Sequence, residues 1–147
     1  MIQNEMRLEF DSRSCNEGFA RVSVAAFLTQ LNPTLEEVAD VKTALSEAVT
    51  NAIIHGYERK VEKIVITCRI EGETIGIEVE DHGVGIPDVE KAMEPLFTTR
   101  EDCERSGMGF SFMEAFMDTL EVDSAPGQGT RVRMTKRISR TDSKYER

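Results

Sequence analysis

Residues Thr74–Glu80 alternate strictly, with Ile75, Ile77 and Val79 on one parity, and the alternation runs into Asp81-His82-Gly83-Val84-Gly85-Ile86-Pro87. A half-buried strand has this period of two, and alternate residues share a face. Asp81 keeps the parity of the three aliphatic residues and so points to the apolar side. A carboxylate aimed there is costly unless hydrogen-bond donors meet it. Two glycines follow, able to take positive φ or to let a ligand approach the backbone. Alone, such a stretch is more often a strand ending in a hairpin-like turn, with Asp81 as a turn or capping residue, because short glycine motifs are common. The preceding segment, Lys63–Glu71, alternates Ile64, Ile66, Cys68 and Ile70, and a Glu-Gly-Glu turn joins the two. Together they predict an antiparallel hairpin.

Met6–Phe10 also alternates and predicts an opening strand. Ser14-Cys15-Asn16-Glu17 has the spacing of a capping box, with Ser14 at the N-cap and Glu17 at N3, ahead of a helix running to about Leu31. Its apolar residues (Phe19, Val22, Val24, Ala26, Phe27, Leu28, Leu31) exceed one core-facing stripe, which fits deep burial or a subunit or partner interface. After Pro33, Thr34-Leu35-Glu36-Glu37 repeats the box, and a second helix continues to His55 with Gly56 as its stop. Asp88 caps a short helix to Met93. Residues 94–106 show no periodicity, and a loop of that length in a small domain is more often functional. A helix over Gly107–Thr119 and a hairpin of Leu120–Asp123 with Thr130–Ile138 complete the chain. The expected fold class is α+β, a two-layer sandwich of a mostly antiparallel sheet with helices on one face. One domain covers residues 1–137, and a basic tail occupies 138–147.

Charge and cysteines narrow the function classes. The net charge of −9 over 147 residues argues against general nucleic-acid binding, which needs a basic surface. Residues 131–147 hold seven Lys/Arg against two acids, or +5, which leaves −14 elsewhere. No apolar run approaches a membrane span, and the N-terminus lacks a signal-peptide pattern. Cys15, Cys68 and Cys103 lack metal-ligand spacing and fit a reduced, cytoplasmic thiol inventory.

Three further stretches carry chemistry. Glu47, Asn51 and His55 are four apart and form one stripe along the edge of the second helix's apolar arc. An Asn carbonyl suits Mg²⁺, and a Glu one turn earlier could orient or deprotonate a hydroxyl. In isolation the pair is more often a solvated Glu and a surface Asn. In Arg105-Ser106-Gly107-Met108-Gly109-Phe110, each helical Gly costs about 1 kcal/mol relative to Ala. Two in a first turn make sense if helix N-terminal amides must approach a phosphate, with Arg105 adding a cation. In Gly127-x-Gly129-Thr130, Thr130 shares parity with Val132 and Met134 and faces inward like Asp81, so the two could contact one polar ligand. There is no Walker A pattern and no hydrolase triad.

Taken in order, Glu47-x-x-x-Asn51, Asp81-x-Gly83-x-Gly85, Gly107-x-Gly109 and Gly129-Thr130 resemble the N, G1, G2 and G3 boxes of the GHKL ATPase superfamily. The runs Ser46–Tyr57 and Pro95-Leu96-Phe97-Thr98-Thr99 are similar to the small anti-sigma factor serine kinases, above all those of sporulation. The resemblance covers about residues 4–137 and implies a Bergerat ATP-binding fold. It implies that Asp81 accepts a hydrogen bond from the adenine amino group, helped by Thr130, and that Asn51 holds Mg²⁺ against the phosphates of ATP or ADP. Gly83, Gly85, Gly107 and Gly109 would let the backbone wrap the nucleotide. Thr98, Thr99, Arg105 and Ser106 would join the site from a lid over residues 94–106. Glu47 would be the general base of an ATP-dependent protein serine kinase. Phe110 stands where many relatives have Leu.

The resemblance further implies a cytoplasmic homodimer with two partners, a sporulation sigma factor that it inhibits and a STAS-domain anti-anti-sigma protein that it phosphorylates. Glu17 and Arg21 are its candidate partner contacts, with neither nucleic acid nor membrane bound directly. The competing functions are a general-stress anti-sigma kinase and an adaptor whose nucleotide gates binding without transfer. A histidine-kinase catalytic domain would need a helical phosphoacceptor box before Glu47, and none is present. A gyrase- or Hsp90-like hydrolase would need a lysine from a transducer domain, for which this length leaves no room.

Overall fold

The apolar parities at Ile64–Ile70 and Ile75–Val79 bury together, and they set the sheet. The computed structural model describes residues 3–56, 60–93 and 101–139. Strands β2 (Lys63–Glu71) and β3 (Thr74–Asp81) form the expected hairpin, paired from Val65↔Glu80 to Glu71↔Thr74. β1 (Gln3–Asp11) adds to β2, and β4 (Thr119–Ser124) and β5 (Thr130–Arg137) form the closing hairpin, with β5 against β3. The order is β1-β2-β3-β5-β4, antiparallel throughout.

One sheet face meets the helices α1 (Asn16–Leu28), α2 (Leu35–Asn51) and α4 (Glu101–Phe116) through a core that includes Val24, Leu28, Leu45, Val49, Phe110 and Met113. A short α3 (Val89–Met93) is capped by Asp88, whose carboxylate accepts from the Lys91 N–H. The opposite face is polar and laced with cross-strand pairs, Glu5 with Arg69, Glu78 and Glu80 with Arg131, and Glu121 and Asp123 with Arg133. Such solvent-screened pairs are worth little, so the helix-side core holds the sandwich together.

The two expected capping boxes have different outcomes. Thr34 takes an extended conformation, accepts from the Glu37 N–H at 3.0 Å, and donates its own N–H to the Glu37 carboxylate at 2.9 Å. The Ser14 box does not form. Cys15, the residue before α1, is already helical (φ −66°, ψ −16°), and the Glu17 N–H meets the Ser14 carbonyl instead of its hydroxyl. Glu17 is thereby released for contacts with α2.

Two helix boundaries also differ. α2 ends at Asn51 and passes into a wider five-residue turn, Ala52–Gly56. α4 begins at Glu101, not Gly107, so residues 101–106 are helical where a loop was expected. At the other terminus the fold extends past residue 137. Ile138 is fully buried and donates its N–H to the Glu73 carbonyl, and the Ser139 N–H reaches the Glu37 carboxylate. Among the described residues no helix is long and apolar enough to cross a membrane.

Candidate functional site

Asp81 ends β3 on the helix side and is only 5% exposed, as the strand parity requires. The Gly83 N–H donates to its Oδ1 at 2.9 Å. Burial still pushes its carboxyl above the ordinary Asp value, against the opposing pull of backbone N–H groups at Gly83 and Thr130 and of His82. Gly56 packs directly on this carboxylate. It does not adopt the left-handed conformation of a helix-terminating glycine. The expected stop signal is therefore a spacer, and only hydrogen fits there.

The loop after Asp81 folds against both neighbours. The Val84 N–H donates to the Gly56 carbonyl at 2.8 Å, and the Gly127 N–H donates to the Val84 carbonyl at 2.7 Å. Gly85 lies at φ +79°, and a Cβ there would come within 2.0 Å of the Ala125 carbonyl oxygen. Both reasons demand glycine. The result is a cleft between α2, the glycine loop and β5. Asp81, Thr130, Asn51, His55, Gly56 and Gly85 contribute polar or backbone surface, and Val79, Val132, Ile86 and Phe110 apolar surface. A largely apolar cleft with a few convergent polar groups is the usual form of a small-molecule site.

Along α2 the cleft leads to Asn51 and Glu47. α4 crosses here, and a Cβ on Gly109 would lie 3.2 Å from both Asn51 Nδ2 and Glu47 Oε1. Asn51 Nδ2 is buried without a partner among the described residues. Orphaned buried amides are rare and call for a ligand or ordered water. Glu47 is half-buried, and its carboxyl is raised first by burial and then by the negative charge of Glu17. Glu17 pairs with Arg21 at 3.0 Å and accepts a hydrogen bond from the Ser46 hydroxyl, tying α1 to α2 beside Glu47.

The structure thus gathers Asn51, Asp81, Gly85 and Thr130 around one cleft, sets Gly83 on Asp81, and places Glu47 at Gly109. Gly107 and Gly109 lie inside α4, past its first turn, and not at the helix start expected for them. Gly109 instead lets α4 approach the Glu47–Asn51 stripe. Arg105 and Ser106 fall in α4, and Thr98 and Thr99 lie outside the described residues. Gly56 and Ser124 were missed as site residues. The Ser124 signal was available, since it shares the inward parity of Leu120 and Val122.

A family model for the histidine kinase-like ATPase domain matches residues 12–136. An anti-sigma F factor of Thermoanaerobacter sp. (strain X514) is 64% identical over 135 residues, covering 92% of this chain and 94% of that one. The anti-sigma F factor of Bacillus subtilis (strain 168) is 52% identical over 141 residues, covering 95% and 97%. Among solved structures, the RsbU and RsbW domains of a Mycobacterium tuberculosis protein superpose with a TM-score of 0.68 at 22% identity, over 93% of this chain and 32% of that longer one. A histidine kinase domain from Erythrobacter litoralis gives 0.53 at 21% identity, over 89% and 66%. At such identities these two likenesses bear on fold alone. With the ATPase-domain model spanning the whole cleft and relatives more than half identical along nearly their full length, the chain belongs to the histidine kinase-like ATPase domain family and, within it, to the anti-sigma F factors.

Proposed function

We propose that this chain is a cytoplasmic, homodimeric anti-sigma factor that binds a sporulation sigma factor and uses Mg-ATP to phosphorylate a serine of a STAS-domain antagonist. One observation carries the kinase reading. Half-buried Glu47, Asn51 with its amide orphaned among the described residues, and Gly56, which packs on the buried Asp81 carboxylate, follow one another along α2 and its following turn. Gly56, which touches Asp81, is nine residues after Glu47, so the base end and the reacting end of a bound nucleotide would lie at opposite ends of this stretch.

In this reading Asp81 accepts from the adenine amino group at the closed end of the cleft, with Thr130 beside it. The phosphates lie toward Asn51, whose Nδ2 donor has no protein partner among the described residues and so fits a phosphate oxygen, while its Oδ1 is the atom that would face the cation. Mg²⁺ there would neutralise phosphate charge, taking its other ligands from phosphate and water, as that ion commonly does. Thr98, Thr99, Arg105, Ser106 and Gly107 join the phosphate side by resemblance. Glu47 takes the proton from the attacking serine hydroxyl as the serine oxygen bonds to the γ-phosphorus and ADP departs. A carboxyl raised toward neutrality suits that task better than an ordinary Glu.

Partner contacts fall on α1. Arg21 is 39% exposed in its side chain beside the more enclosed Glu17, and Phe19 and Val22 are 54% and 61% exposed. Arg21→Glu is expected to weaken binding of sigma or antagonist, and unchanged binding of both would remove this assignment.

The deciding experiment is intact-mass spectrometry of a purified STAS-domain antagonist after incubation with this protein and Mg-ATP. The expected result is a gain of one phosphate that Glu47→Ala abolishes while still binding ATP. No gain, with ATP binding confirmed, would identify a nucleotide-gated adaptor instead.

A further inference from the structure

β-register places Thr130 opposite Asp81 on β3 and opposite Ser124 on β4, so three polar residues form one row across three strands. Asp81 and Thr130 line the cleft, and Ser124 stands behind Thr130. The Ser124 hydroxyl has three neighbours. The Ile86 N–H donates to it at 2.7 Å, the Gly129 carbonyl lies at 2.8 Å, and the Thr130 hydroxyl lies at 2.8 Å.

A serine hydroxyl owns one proton and a carbonyl can only accept. The proton of Ser124 therefore goes to Gly129. For the Ser124–Thr130 contact to be a hydrogen bond, Thr130 must donate to Ser124. Thr130 then presents only lone pairs to the cleft, beside a carboxylate that likewise only accepts.

We propose that Ser124 is a specificity-determining residue of the nucleotide site. By engaging the proton of Thr130 it makes the closed end of the cleft accept hydrogen bonds only. Such a surface favours a purine with a 6-amino group, a donor, over one with a 6-oxo group, which would set a third acceptor against two others. The inference rests on the nucleotide reading above, and it adds a positioning residue that never touches the base.

The test compares binding of ATP and its 6-oxo analogue ITP by calorimetry. Wild type is expected to favour ATP by about tenfold or more, since a site built around hydrogen bonding rejects the mismatched analogue. Ser124→Ala frees the Thr130 hydroxyl to rotate and donate, so the preference should fall to within about threefold. Lost anchoring of the Ile86 N–H would weaken both nucleotides alike and leave their ratio unmoved. Ser124→Thr, which keeps the hydroxyl, should restore the ratio, and in a Thr130→Val background Ser124→Ala should no longer change it. Circular dichroism checks that each variant is folded. A wild-type preference that survives Ser124→Ala overturns the proposal, as does a wild type without preference. Failure of wild type to bind either nucleotide would overturn the nucleotide reading itself.

Discussion

Gly56 leaves no room for a side chain against Asp81, for an added Cβ would sit 2.8 Å from the carboxylate carbon and 2.9 Å from both oxygens. Gly56→Ala must displace the Asp81 carboxylate, since the φ of residue 56 is one that alanine tolerates. Overpacking of this kind costs about 1–3 kcal/mol. The expected outcome is a lowered Tm together with weaker ATP binding, and adding Asp81→Ala should recover most of the Tm but none of the affinity. A Gly56→Ala protein that melts and binds as wild type does would show that the contact is slack.

Asp81 itself should destabilise the ligand-free protein at neutral pH. Burial raises its folded pKa above the ordinary value of 3.8. Such a group binds its proton more readily when folded, so its contribution to stability is present below the unfolded pKa and is lost as pH rises through the folded one. Asp81→Asn keeps an oxygen for the Gly83 N–H and removes the charge. It should raise Tm more at pH 7.5 than at pH 4 while weakening ATP binding about 10- to 100-fold, the usual worth of a charged hydrogen bond. Thermal melts at both pH values and calorimetry decide this, and equal affinity would contradict the role of Asp81.

The same sign applies to Glu47, raised first by burial and second by Glu17. Phosphotransfer should increase with pH through that raised pKa, and Glu47→Gln should slow it by about 10²–10⁴-fold. Glu17→Gln removes the second cause but not the first, so the limb should move to lower pH without vanishing. A kcat/KM profile that stays in place in Glu17→Gln would mean that the two carboxylates are not coupled.

Asn51→Ala removes Oδ1, the oxygen proposed to face Mg²⁺, along with the Nδ2 that lacks a partner among the described residues. ATP affinity in this variant should be the same with Mg²⁺ as with EDTA, whereas wild type should bind more tightly with Mg²⁺. A variant as responsive to Mg²⁺ as wild type would exclude Asn51 as the contact.

The parts of the fold legible in the sequence are those set by local parity. Alternation alone placed Lys63–Glu71 and Thr74–Asp81 as strands, sent Asp81 inward, and put Thr130 on the same side. The start of α4 was not legible, because Glu101–Ser106 has no apolar period. The first capping box misled, because its spacing is shared by a helix whose preceding residue is already helical. Gly56 has the sequence signature of a helix stop, and its contact with Asp81, 25 positions on, exists only in the folded chain. Ser124 had the parity of an inward residue, but its partners are fixed by the turn through Gly127 and Gly129, both at positive φ.

β3 is the middle strand of five, bonded to β2 along one edge and to β5 along the other. Its amides can exchange with deuterated solvent only when a neighbouring strand lifts away, so they belong to the most slowly opening unit of the fold. Asp81 stands at the end of that strand, whereas Glu47 and Asn51 depend on the packing of two helices. In the proposed reading, base recognition is thus built into the part of the molecule that opens last, and the reacting end rests on helix packing instead.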